Sequence, residues 1–124
     1  MKICITAQGD NLDANVDPRF GRCAYFILLD TDSMKFEAVP NPNADSMGGA
    51  GIQSAQLVSE KGVKVILTGN VGPNAFRTLN AAGIVIATGV SGSVKEGVEQ
   101  YKSGKLKTTE GPSVDSKFGM GPQQ

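Results

Sequence analysis

Three glycine-rich turns, each placed just before a helical pattern, constrain this chain more than any other feature: Gly48-Gly49-Ala50-Gly51, Thr68-Gly69-Asn70-Val71-Gly72 and Thr88-Gly89-Val90-Ser91-Gly92. The last two read as copies, one Thr-Gly-x-x-Gly falling twenty residues after the other. Each copy follows a short apolar run rich in β-branched residues, Val63-Lys64-Val65-Ile66-Leu67 and Ile84-Val85-Ile86-Ala87, which is strand composition. Strand, turn and helix in alternation specify a parallel α/β sheet. Helix N termini present unpaired N–H groups and the positive end of the helix dipole, and glycine lets a ligand approach the backbone. Three such turns at one place would form an anion-binding floor, so the first question is whether they meet.

The helices have legible ends. The first runs from about Ala50 to Lys61, with Ile52, Ala55 and Val58 expected inward and Gly62 as its stop. Pro73 opens the second, Phe76 and Leu79 give it an apolar face, and Gly83 ends it. Ser93 and Glu96 form a capping box for the third, in which Val94, Gly97, Val98 and Tyr101 share one face before Gly104.

Towards the N terminus, Ile3, Ile5 and Ala7 alternate with Cys4 and Thr6 as a first strand. Tyr25-Phe26-Ile27-Leu28-Leu29 is a continuous apolar run, which predicts a strand covered on both faces. A tight turn at Thr31-Asp32-Ser33 leads into Lys35-Phe36-Glu37-Ala38-Val39, whose charges and terminal Pro40 suit an edge strand. If the second and third strands form a hairpin, the helix that follows crosses over to a fourth, parallel strand. The carboxyl ends of the first, third, fourth and fifth strands then share one edge. Loop 8–22, loop 40–51 and both Thr-Gly-x-x-Gly turns lie along it, where open α/β sheets bind ligands.

Composition narrows the function. Lys and Arg balance Asp and Glu at 12 each, so no field draws the chain to nucleic acid or an anionic membrane, and His is absent. Two cysteines far apart, no leader pattern and no long apolar segment predict a soluble protein of the reducing cytoplasm. A chain of 124 residues supports one core. From Lys105 onward only Leu106, Val114, Phe118 and Met120 are large and apolar, so residues 1–106 are expected to fold and 107–124 to form a mobile tail.

Loop 8–22 is about three times the usual length of a connection, which argues for a task. It carries Asp10, Asp13 and Asp17-Pro18-Arg19-Phe20-Gly21-Arg22-Cys23. Pro18 and Gly21 fix its backbone and Phe20 can anchor it in the core. Two readings of Arg19 and Arg22 stand side by side: they complement an anion above the glycine turns, or they pair with Asp13 and Asp17 and staple the loop. Cys4, mid-strand, reads as a buried small hydrophobe. Cys23, beside Arg22 at the edge, is either a thiolate of lowered pKa able to ligate metal or a second buried hydrophobe. In the next loop, Asn43, Asp45, Ser46 and Met47 offer oxygen or thioether contacts, or simply make a solvated turn.

Phe20-Gly21-Arg22-Cys23-x-Tyr25-Phe26, Gly48-Gly49-Ala50-Gly51-Ile52-Gln53-Ser54-Ala55, Thr68-Gly69-Asn70-Val71-Gly72-Pro73-Asn74-Ala75 and Gly92-Ser93-Val94, in this order over about residues 1–104, resemble the dinitrogenase iron-molybdenum cofactor biosynthesis family. The resemblance implies a three-layer α/β/α domain of ribonuclease-H-like topology, with a mixed five-stranded sheet of order 3-2-1-4-5 and an antiparallel second strand. It also implies a carrier or chaperone that binds the iron-molybdenum cofactor or its iron-sulfur precursor during nitrogenase assembly, handing it between cluster donor and acceptor proteins. The chain departs from such carriers in having no His and only two thiols, where a cluster held by one chain has up to four protein ligands.

These observations predict a monomeric, non-catalytic binder of a metal cluster or another anion. Its expected contacts are Arg19, Arg22, Cys23, Gly48, Gly49, Gly51, Gly69, Asn70, Gly72, Gly89 and Gly92, with Cys23 the one candidate metal ligand. A metal-dependent nuclease would need carboxylates at the strand ends, and Leu67-Thr68-Gly69-Asn70 has none. No nucleophile, base and orienting partner stand at a recognisable spacing. A third class, an interaction module docking through Phe118-Gly119-Met120, has no defined motif behind it.

Overall fold

Six residues at the N terminus, Lys2–Ala7, form β1, the centre of the sheet. The structure is a computed structural model that describes residues 1–45, 49–109 and 111–112. Beyond β1 the chain builds β2 (Tyr25–Asp30), β3 (Phe36–Pro40), α1 (Ala50–Glu60), β4 (Val65–Leu67), α2 (Pro73–Ala81), β5 (Val85–Ala87) and α3 (Val94–Lys102). The strand order is β3-β2-β1-β4-β5. β2 runs antiparallel to both neighbours, while β4 runs parallel to β1 and β5 parallel to β4. The expected sheet order and directions are therefore the observed ones, and the carboxyl ends of β1, β3, β4 and β5 share an edge.

Each face of the sheet carries its own core. Cys4, Phe26, Leu28, Ile66 and Ile86 pack with Ala55 and Val58 of α1 and Ala75 and Leu79 of α2. Ile3, Ile5, Ile27, Leu29, Val65, Leu67 and Ala87 pack with Val94 and Val98 of α3. β2 is thus apolar without interruption because alternate residues enter different cores. β3 has no second neighbour and is largely exposed, as an edge strand.

The ends of the helices follow local chemistry. Pro73 is the first residue of α2, and α3 begins with the full Ser93–Glu96 capping box. Gly62, Gly83 and Gly104 follow the three helices with positive φ, relieving the last carbonyls. One expectation for α1 fails: Ile52 is exposed, and Ser54 is the buried residue beside Ala55 and Val58. At 100° per residue, Ile52 falls outside the sector shared by Ala50, Ser54, Ala55 and Val58. Apolarity alone misplaced it.

The chain beyond 106 is not all tail. Thr108 bridges antiparallel to Ala87, Thr109 N–H donates to the Ile86 carbonyl at 2.6 Å, and the Thr88 and Thr109 hydroxyls are 2.6 Å apart. Part of the β5 edge is thereby paired. Val114, Phe118 and Met120, together with Ser46, Met47 and Gly48, lie outside the described residues. Among the described residues no helix is long and apolar enough to cross a membrane.

Candidate functional site

Loop 8–22 leaves the end of β1 and folds back across the carboxyl edge, where backbone bonds hold it. Asp17 N–H donates to the Thr6 carbonyl and Val16 N–H to the Gly92 carbonyl, each at 2.8 Å, and Phe20 N–H donates to the Asn70 carbonyl at 3.2 Å. Thr6 Oγ1 donates to the Asp17 carbonyl at 2.7 Å and lies 2.8 Å from Thr68 Oγ1, a buried polar link between β1, β4 and the loop. Phe20 is buried, its ring 5.9 Å from that of Phe26, so it anchors the loop as its position suggested.

This path decides which helix start the loop caps. At α3 the loop and the N-cap together take the free donors: Val94 N–H bonds the Ala14 carbonyl at 2.8 Å, Lys95 N–H the Leu12 carbonyl at 2.9 Å, and Glu96 N–H the Ser93 hydroxyl at 3.1 Å. The three turns therefore do not make a three-part anion floor, and Gly89 and Gly92 flank a helix start that the chain has already capped. Gly69 serves a different need. A Cβ there would stand 2.5 Å from Pro18 Cα, so glycine is required for the loop to cross the turn. Asn70 spends its carbonyl on Phe20 and bridges to Arg19.

α1 and α2 differ from α3. Neither has a side-chain cap, neither has an acidic residue in its first turn, and their N-caps are Gly49 and Gly72. The two starts are close, since a Cβ on Gly51 would come 3.2 Å from Ala75 Cβ. Gly21 brings the loop onto the same point, a Cβ there meeting Gly51 Cα and N at 2.9 Å. The next residue is Arg22.

The two arginines take different roles. Asp17 is buried, and Arg19 holds its carboxylate through Nε at 3.2 Å, Nη2 at 3.3 Å and its backbone N–H at 3.0 Å. The carboxylate in turn raises the Arg19 pKa. The stapling reading describes Arg19, with Asp17 and not Asp13 as partner. Arg22 is half-buried and donates from Nη1 to the Ala44 carbonyl at 3.4 Å, with no carboxylate partner among the described residues.

The cysteines correct another expectation. Cys4 and Cys23 are both free and fully buried. Burial pushes the Cys23 thiol well above its ordinary pKa, with the charges of Cys4 and Asp17 adding to the effect, so the nearby Arg22 does not yield a thiolate. Cys4 is raised by burial alone. Among the described residues no group of three or more His, Cys, Asp or Glu could hold a metal ion. Direct ligation of a cluster by the described side chains does not fit.

Of the residues singled out in the sequence, Gly49, Gly51 and Gly72 lie at the adjoining starts of α1 and α2 and Arg22 follows the loop residue packed on Gly51, while Arg19, Gly69, Gly89, Gly92 and Cys23 have structural partners. Two contributors had no local signal. Ser54 Oγ and Asn41 Nδ2 both donate to the Gly21 carbonyl at 3.1 Å, fastening the loop to α1 and to the end of β3. Only the path of the loop, set far away in sequence, makes them neighbours.

The sequence pattern of the dinitrogenase iron-molybdenum cofactor family matches residues 1–104. The apo form of the orange protein from Desulfovibrio gigas superposes with a TM-score of 0.89 at 40% identity, over 91% of this chain and 96% of that one. A Thermotoga protein described as a candidate NifB protein gives a TM-score of 0.78 at 36% identity, over 91% and 98% of the two chains. An uncharacterized protein of Methanocaldococcus jannaschii is 29% identical over 113 residues, which is 89% of this chain and 92% of that protein.

Proposed function

The chain belongs to the dinitrogenase iron-molybdenum cofactor family, and from that premise we propose that it is a non-catalytic binding or carrier protein for an anionic metal–sulfur cluster of the iron–sulfur or iron–molybdenum type, or for its precursor. One observation carries the reading. Two adjacent helix starts without side-chain caps, α1 and α2, lie where the loop packs Gly21 against Gly51, and the next loop residue, Arg22, has no carboxylate partner among the described residues. Backbone donors, dipole ends and one guanidinium suit an anion.

The cargo in this reading arrives with its own ligand shell complete, because both thiols are buried and protonated and the chain has no His. Binding is then electrostatic and reversible, as a carrier passing cargo from donor to acceptor proteins requires. A monomer in the cytoplasm suffices for that task. The similarity to a protein solved in an apo form supports it, since that term presupposes a ligand.

Metal analysis and an absorption spectrum of protein purified without oxygen test the proposal, followed by titration with a synthetic four-iron four-sulfide cluster capped by small thiolates. Saturable uptake that weakens about tenfold in Arg22→Ala, at an unchanged melting temperature, is expected. Colourless protein that takes up no cluster overturns it and favours the second reading, an anionic ligand without metal, to which the absence of any accessible thiol points.

A further inference from the structure

Asn41 follows the edge strand in a stretch whose composition suggests a solvated turn, yet it is buried and both side-chain polar atoms are engaged. Nδ2 donates to the carbonyl oxygens of Gly21 at 3.1 Å and Cys23 at 3.0 Å, the residues on either side of Arg22. Oδ1 accepts the backbone N–H of Asn43 at 2.9 Å and closes a tight turn. The next residue, Ala44, donates its N–H to the Asn41 carbonyl at 3.4 Å, and its own carbonyl receives Arg22 Nη1 at 3.4 Å. The orientation of the amide follows from chemistry, because the reverse would set an oxygen against two carbonyl oxygens. The Asn41 side chain therefore holds the backbone on either side of Arg22, and the turn that it opens leads to the carbonyl on which the guanidinium rests.

We propose that Asn41 is a positioning residue for anion binding, presetting Arg22 beside the open starts of α1 and α2. The inference rests on the reading of that edge as a binding site. A long cationic side chain gives up rotamer freedom when it binds, so fixing it beforehand raises affinity without adding a contact. Asn41 has no need to touch the ligand. Its bonds go to the loop, and its effect passes through Arg22.

A double-mutant cycle on the full chain tests this, with the thiolate-capped four-iron four-sulfide cluster as probe under anaerobic conditions. Arg22→Ala and Asn41→Ala should each weaken Kd about five- to tenfold, and the double variant should bind no more weakly than Arg22→Ala alone. The ionic-strength dependence of Kd should flatten in both single variants, since a misplaced guanidinium contributes less charge at the site. If Asn41→Ala fails to fold, Asn41→Ser replaces it: the hydroxyl can still accept Asn43 N–H but cannot reach two carbonyls. Parental Kd and salt dependence in the Asn41 variant beside a weakened Arg22→Ala overturns the positioning role and leaves the binding site standing. Additive losses in the double variant also overturn it, and parental binding by Arg22→Ala overturns both readings.

Discussion

Replacing Gly69 by Ala separates a glycine that a ligand needs from one that the fold needs. The new Cβ would lie 2.5 Å from Pro18 Cα, 2.9 Å from its Cβ and 3.1 Å from its carbonyl oxygen. Pro18 cannot swing aside like a flexible side chain, because Asp17 and Phe20 on either side are bonded to Thr6 and Asn70. Loop 8–22 must shift as a unit, so the cost belongs at the upper end of overpacking, about 3 kcal/mol. With an unfolding entropy of about 2.1 cal/mol/K per residue, a chain of 124 residues loses about 4 °C per kcal/mol, hence about 12 °C. Gly89→Ala is the control: φ is +75°, nothing lies within 4 Å of the added atom, and only the left-handed backbone strain of about 1 kcal/mol remains, or about 4 °C. Thermal denaturation followed by circular dichroism reads both. A Gly69→Ala variant that melts within about 3 °C of the parent would show that the loop does not depend on this close approach, and the structural account of Gly69 would fail.

Three further outcomes are expected. Arg19→Ala strips the partner from a buried carboxylate whose arginine is partly exposed, so about 1–2 kcal/mol and 4–8 °C should be lost while cluster affinity stays within about twofold of parental; lost affinity at an intact melting temperature would make Arg19 a ligand contact. Because burial raises both thiol pKa values in the folded state, their contribution to stability is whole below the unfolded thiol pKa of about 8.5 and declines as pH rises above it. Urea midpoints should therefore fall between pH 8 and pH 10, less steeply in Cys4→Ala, with native Cys23 inert to a thiol reagent at pH 8; rapid modification of the folded protein would refute the burial. Thr109→Pro removes the N–H donor and the hydroxyl that pair with β5 and should lower the melting temperature by several degrees; an unchanged melting temperature would show the pairing to be idle.

Local patterns in the chain already determined the elements and their directions. Pro73 and the Ser93–Glu96 box mark two helix starts, the apolar run from Tyr25 to Leu29 identifies a strand with a core on each side, and alternating strands and helices force a crossover that aligns the glycine turns. Those signals act within a few residues, where chain geometry and hydrogen bonding set the answer. The face of α1 was less legible, because apolarity ranked Ile52 above Ser54 while packing against the sheet and loop 8–22 put Ser54 inside. What the tertiary structure decided is which helix start the chain itself caps. Lys95 takes its acceptor from Leu12, Val94 from Ala14, and Arg22 is placed through Gly21, Cys23 and Asn41. A backbone donor is satisfied by whatever segment folds against it, so similar glycine turns became a capped helix at α3 and uncapped ones at α1 and α2, a difference that no pattern within the turns themselves contains.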